Sequence, residues 1–295
     1  MVNMKKKLNL IIVIAFILLV GCTQNTNEET SKNKDTSTTK EQFTLSEYLK
    51  SNDNSKIWFY VNEDIEDFGK DTSVSEIYVF KDGKVATYDG DLYSNLGALA
   101  QLDDREILSS IADKQVDYDN TLVEGRIEYI TEHLQVTQKK LDSVSEDLVD
   151  FYQAELDYTN RAINSLENFK ATKRNFSPYA LTVSTDNSGN QTEIESLSFN
   201  KEILDIPNVI GDGLYTENIL KMIDSEAYLW DIKTEEQSYN LEASDISLDA
   251  NFPVYDSTYR VIRIAKNKFL CTRVEDSSIK IIADEPGAEG IELDD

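Results

Sequence analysis

The sequence predicts an α+β fold in which antiparallel β-sheet regions lie on both sides of a long helical segment or helical hairpin. Three observations carry this expectation. Short runs of β-branched and aromatic residues recur before residue 90 and after residue 176, separated by polar turn residues. Between them, residues 121–173 contain no Pro and only Gly125 near their start. Across that stretch apolar residues return every seven positions, at Ile127, Leu134, Leu141 and Leu148 and again at Ile130, Val144 and Phe151, which is the spacing of one helix face.

The chain starts with a segment to be set aside from the fold. Lys5, Lys6 and Lys7 form a basic region, and Leu10 to Val20 is an unbroken apolar run. That run is shorter than the ~20 residues of a spanning helix and has the form of a signal peptide. It ends at Leu19-Val20-Gly21-Cys22, which resembles the lipobox of bacterial lipoproteins, although Val20 stands where Ala, Ser or Thr is more usual. The resemblance implies that signal peptidase cuts between Gly21 and Cys22 and that Cys22 carries diacylglycerol. It places the mature protein on the extracytoplasmic face of the cell membrane, held there by acyl chains. Thr23 to Gln42 lacks any aromatic or large aliphatic residue and reads as a disordered tether. The expected division is thus 1–21 signal peptide, 22–43 tether, 44–120 α/β region, 121–175 helical segment, 176–283 β-rich region and 284–295 acidic tail.

Thr44-Leu-Ser-Glu47 is a capping box that opens a short helix through Lys50. Strands are expected at Lys56 to Val61, Ser75 to Phe80 and Lys84 to Tyr88, the last two forming a hairpin around Asp82-Gly83. Trp58 and its aromatic neighbours are expected in the core of the first of these, a sugar-binding platform being the alternative. Two helices are expected near Leu92 to Leu102 and Asp104 to Lys114. Thr121-x-x-Glu124 reads as the start of the helical segment, and Ser143-x-x-Glu146 as a point where it can turn back on itself. The stripe is broken at Thr137 and replaced after Phe151 by Tyr152, Leu156, Ile163 and Leu166. Its expected partner is the protein's own sheet.

After Ser177-Pro178, residues 179–199 form two alternating runs around a polar turn, a helix is expected near Thr216 to Ile223, and "AYLWDIK" follows from Ala227 to Lys233. Tyr259 to Ile282 reads as three antiparallel strands, and Asp284 to Asp295 as a frayed tail. Gly90–Asp113 and Gly211–Asp224 echo one another loosely, which fits either two related halves or coincidence.

Composition narrows the function. The full chain is 40% hydrophobic and 28% charged, as a globular protein is. Without Lys5, Lys6 and Lys7 it holds 26 basic and 55 acidic residues, a charge of −29. Nucleic acid is excluded as a partner, whereas a cation or a basic protein is tolerated. With Cys22 lipidated, Cys271 is the remaining thiol, so neither a disulfide nor a Cys-based zinc site is expected. His133 is the single histidine and is expected as a solvated helix residue. Asp186, Ser188 and Asn190 surround Gly189, but Gln191 and Leu197 occupy the positions where a calcium loop needs Gly and a carboxylate. Asp103-Asp104, Asp117, Asp119 and Glu235-Glu236 read as solvated surface.

No catalytic residue, metal ligand or cofactor is therefore assigned. The runs "EIYVFKDGKVATY" and "TDNSGNQTEIESLSF" resemble surface lipoproteins of low-GC Gram-positive bacteria. The expectation is a non-enzymatic protein that binds a protein or envelope component. An envelope hydrolase working through paired carboxylates and a solute-binding receptor are the alternatives.

Overall fold

The computed structural model describes residues 42–50, 55–205, 231–248 and 250–294. The signal peptide, Cys22, the tether up to residue 41, the helix expected near Thr216 to Ile223 and the second half of the echo lie outside them, as does "AYLWDIK" up to Trp230. The described chain is α+β: ten strands form one sheet, and two long helices form a pair between its halves.

The first half of the sheet is built from β2 (Lys56–Asn62), β3 (Val74–Lys81) and β4 (Lys84–Asp89), after the short β1 (Gln42–Thr44) and α1 (Leu45–Leu49). Thr44 caps α1 through the expected box, its hydroxyl accepting from Glu47 N–H and the Glu47 carboxylate from Thr44 N–H. β3 and β4 are joined through Asp82 and Gly83 at φ of 50° and 72°, the left-handed pair that a two-residue hairpin requires. Next come α2 (Leu96–Ala100), α3 (Asp104–Leu141) and α4 (Val149–Asn168). β5 (Ser177–Thr185), β6 (Thr192–Asp205) and β7 (Asp231–Glu242) make the second half, followed by α5 (Ala243–Ile246), β8 (Asn251–Val254), β9 (Ser257–Ala265), β10 (Lys268–Val274), β11 (Lys280–Ile282) and β12 (Glu292–Leu293).

The order across the sheet is β7-β6-β5-β4-β3-β2-β10-β9-β8, with β12 paired to β5. The sheet coils on itself, because Tyr239 of β7 stacks on Tyr60 of β2 at 5.9 Å and reaches Tyr78 of β3. One face of the central strands, including Trp58, Tyr78 and Phe80, is thereby closed against Leu181, Leu197, Phe199 and Leu241 of the second half. The opposite face, including Ile57, Phe59 and Ile77, is covered by Leu96 and Leu99 of α2 and by Ile107 and Ile111 of α3. Burial on both faces is why β2 is apolar almost without alternation. Cys271 is one of these core residues, and burial pushes its thiol well above the ordinary range.

Several expectations are corrected. Asp104 to Lys114 is not a separate helix but the first part of α3, which runs 38 residues from a capping box formed by Asp103 and Glu106. Thr121 therefore lies inside a helix, where its hydroxyl returns to the Asp117 carbonyl at 2.9 Å. The turn does fall after Leu141, giving a hairpin of helices, but the box at Ser143 and Glu146 does not form. The Ser143 hydroxyl is instead spent on the carbonyls of Lys139 and Lys140. The third strand of the C-terminal run, β11, leaves the sheet and pairs in parallel with β1.

The acidic tail is docked rather than frayed. Ile291 is buried, β12 pairs in parallel with β5, and Asp294 N–H donates to the Val183 carbonyl at 2.9 Å. Its anchor is Asp284, whose carboxylate accepts from Ser46 N–H at 2.8 Å and from the Ser46 hydroxyl at 2.6 Å. Asp284 N–H in turn donates to Glu195 Oε2 at 3.0 Å. Glu195 takes an inward position on β6 and is 0% exposed. Burial first, and the facing Asp284 carboxylate second, push its carboxyl up to about 9.

Candidate functional site

Of the residues assigned in the sequence, Gly21 and Cys22 lie outside the described chain. Two features within it are candidates for function: the far end of the helical pair, and a cleft at its root.

α3 is about 57 Å long at 1.5 Å per residue. Its inward positions fall in a line: Ile107 and Ile111 on the sheet, Gln115 and Asp119 over the cleft, then Val123, Ile130 and Thr137. Val123 and Ile130 pack with Ala162 and Leu166 of α4 in a small cluster of their own. Ile127 and Ile130 of the seven-residue stripe pack in this cluster, beside Ile163 of α4 and Leu204 of β6, and Leu148 of that stripe is exposed. Farther out the pair is locked by a polar group. His133, expected in solvent, has Nε2 2.9 Å from Glu155 Oε1, and Thr137 donates to the same oxygen at 3.0 Å. α4 supplies the reason: it places the buried Glu155 carboxylate over the helix turn that holds His133 and Thr137. The Thr159 hydroxyl closes on the Glu155 carbonyl at 2.7 Å.

Beyond this lock the surroundings change. From Gln138 to Tyr152 no residue is buried. Within it Leu148 and Val149 are 43% and 38% exposed, and Val136 on α3, beside the buried Thr137, is 48% exposed. Asp142, Glu146, Asp147 and Asp150 surround them in sequence. With Lys139 and Lys140 in the same stretch, the end of the hairpin is an apolar spot in a rim of mixed charge that has an acidic excess of two.

The cleft exists because β4 and β5 hardly pair. Only Lys84 with Pro178 and Val85 with Ser177 are in register, since the helical pair is inserted between these two strands. Past Val85 they part, and the gap of about 210 Å³ is lined by Thr87, Tyr88 and Asp89 of β4, Lys201 to Leu204 of β6 and Gln115 to Leu122 of α3.

Asp119, expected as solvated surface, is 1% exposed at the cleft floor and accepts from Arg174 (Nη2 to Oδ1, 3.0 Å) and from Gln115 (Nε2 to Oδ1, 2.9 Å). Gln115 Oε1 accepts from Asp89 N–H at 2.7 Å, so α3 is fastened to the end of β4. Glu76 pairs with Lys201 at 2.8 Å and also receives the Tyr78 hydroxyl. Glu202 takes both donors of Asn175, N–H at 2.9 Å and Nδ2 at 2.8 Å.

Asp89 differs from these three. Its Oδ1 accepts from Asp91 N–H at 2.9 Å, and it has no cationic partner among the described residues. Burial raises its carboxyl above the usual range, and the charges of Asp91, Asp119 and Glu76 add to the rise. Tyr118, whose hydroxyl donates to Asp91 at 3.1 Å, is pushed up to about 12 by burial and then by Asp89. The cleft thus has a negative potential that its own cations do not cancel.

Sequence reasoning missed Asp119 and Asp89 for different reasons. Asp119 continues the line Ile107, Ile111, Gln115 at four-residue steps, a signal that was legible. Asp89 closes a strand, and nothing local marks it. Among the described residues no three His, Cys, Asp or Glu side chains are grouped as metal ligands would be. Asp186 binds its own turn, accepting from Ser188 N–H at 3.1 Å and its hydroxyl at 2.7 Å, as a hairpin turn does. Compared with known proteins, the chain matches no family model, no curated protein and no solved structure.

Proposed function

We propose that this chain is a surface lipoprotein, anchored through Cys22 to the extracytoplasmic face of the cell membrane, that binds a protein or other envelope component with the far end of the α3–α4 hairpin. The observation that carries the reading is the exposure of Leu148 and Val149 at a helical end where no residue is buried. Their exposed surface adds nothing to the core, and a partner that covers it would gain ~25 cal/mol for each Å² removed from water. The acidic excess of the rim favours a partner with basic groups around an apolar pocket.

The cleft supports binding over hydrolysis by paired carboxylates. Such a pair needs two carboxyls free to act on a substrate. Here Glu76, Asp119 and Glu202 are each committed to a cation or to amides, which leaves Asp89.

The test uses intact cells that carry the full chain. Cys22→Ser is expected to move the protein from the washed membrane fraction to the medium. Leu148→Asp with Val149→Asp is expected to leave membrane retention and thermal stability unchanged while abolishing crosslinks made from a photoreactive group at residue 145. Crosslinked species identical to those of the wild type would refute the role of the hairpin end. Membrane retention of Cys22→Ser would refute the anchor separately.

A further inference from the structure

We infer that the cleft between α3, β4 and β6 is a binding site for a small organic cation, an ammonium or guanidinium ion, with Asp89 as its counter-ion.

Four observations converge. The first is space: about 210 Å³ holds roughly seven waters at ~30 Å³ each, so the ligand has the size of an amino acid, a diamine or an amino sugar. The second is charge. Glu76, Asp89, Asp119 and Glu202 line the cleft against Arg174 and Lys201, an excess of two negative charges. Glu76 and Asp119 are paired with Lys201 and Arg174, and Glu202 is held by both amides of Asn175, whereas Asp89 meets the space with only the Asp91 N–H on its carboxylate. A carboxylate half removed from water is costly unless an opposite charge comes to it. The raised proton affinity of Asp89 expresses that same deficit.

The third observation is the floor. Asp119 and Arg174, 1% and 4% exposed, are paired through contacts of 2.9 and 3.0 Å, so the floor is a closed ion pair that leaves the charge of the cleft to the side chains above it. The fourth is the wall. Tyr88 and Tyr118 line the same space with Leu122, Ile203 and Leu204. Aromatic faces beside a carboxylate suit a cation carried on a short apolar stem.

The chemistry points to an organic cation over a metal ion. Divalent calcium takes six to eight oxygens and magnesium six, and no three acidic side chains are grouped in that way among the described residues. The site is independent of the hairpin end, and either can fail without the other.

The experiment is calorimetric titration of the soluble chain lacking residues 1–22, in about 0.15 M salt so that diffuse attraction to a strongly acidic protein is screened. The probes are putrescine, agmatine, L-lysine and glucosamine, with 1,4-butanediol as the neutral counterpart of putrescine and calcium as the metal control. Saturable binding of at least one amine with Kd below about 1 mM is expected, and none of 1,4-butanediol. Asp89→Asn keeps the acceptor for Asp91 N–H and should weaken binding at least about tenfold. Leu122→Trp fills the cleft without changing charge and should abolish it. Glu235→Gln, an exposed carboxylate on β7, should change nothing. The proposal is overturned if no amine binds, if calcium binds and the amines do not, or if both Asp89→Asn and Leu122→Trp bind as the wild type does.

Discussion

Glu195→Gln should make the protein more stable, and by an amount that grows with pH. The folded state holds the Glu195 proton far more tightly than the unfolded chain does, so between the two values the folded state binds more protons. Stability contributed by this group is then complete below pH 4.5 and is lost as pH rises toward about 9. Each unit in that window withdraws ~1.36 kcal/mol. At pH 7.5, three units above the ordinary carboxyl value of 4.5, the loss reaches about 4 kcal/mol. Gln has the same shape, can accept Asp284 N–H and can donate to the Asp284 carboxylate, and it does not ionise. Urea unfolding of both chains at several pH values between 5 and 8 isolates the effect, because every other titrating group is common to the two. The stability difference between variant and wild type should widen by roughly 3–4 kcal/mol across that range. A difference that stays constant with pH would refute the argument.

Two further substitutions probe the packing that makes the cleft. Asp119→Ala leaves the Arg174 guanidinium buried without its carboxylate and should cost about 3–5 kcal/mol in urea unfolding, part of it recovered when Arg174→Met is added. Gly90→Ala would set a Cβ 2.0 Å from the Val74 carbonyl oxygen, so the 3-10 turn after β4 must move. The melting temperature should fall by an amount worth about 1–3 kcal/mol, whereas Gly69→Ala, whose nearest neighbour is at 3.9 Å, should stay within about 0.5 kcal/mol.

Elements set by neighbouring residues were legible in the sequence. The Asp82-Gly83 hairpin, the Thr44 cap and the alternation of β5 and β6 are local, and all three are present. What the sequence did not show depends on partners distant along the chain. β11 leaves its sequential neighbours because β1, more than 230 residues earlier, offers it an edge. The tail from Asp284 looked too polar to pack, but the Asp284 carboxylate is taken up by Ser46, and its N–H by Glu195, whose carboxyl burial pushes up to about 9. His133 and Asp119 looked solvated because they lie on a polar helix. Glu155, on the returning helix, and Arg174, just ahead of β5, bury them. The cleft itself has no signature in the sequence, since it is a gap left where two strands fail to continue pairing.

The pairing of β1 with β11 has a mechanical side. Any tension in the chain ahead of Gln42 enters the described fold through β1, and β1 is held by three residue pairs to Lys280–Ile282. The Ser46–Asp284 clasp stands directly behind, joined to both strands by a few residues. In the proposed tethered state, load entering at Gln42 would meet this seam of three residue pairs before it reached the helices and the ten-stranded sheet.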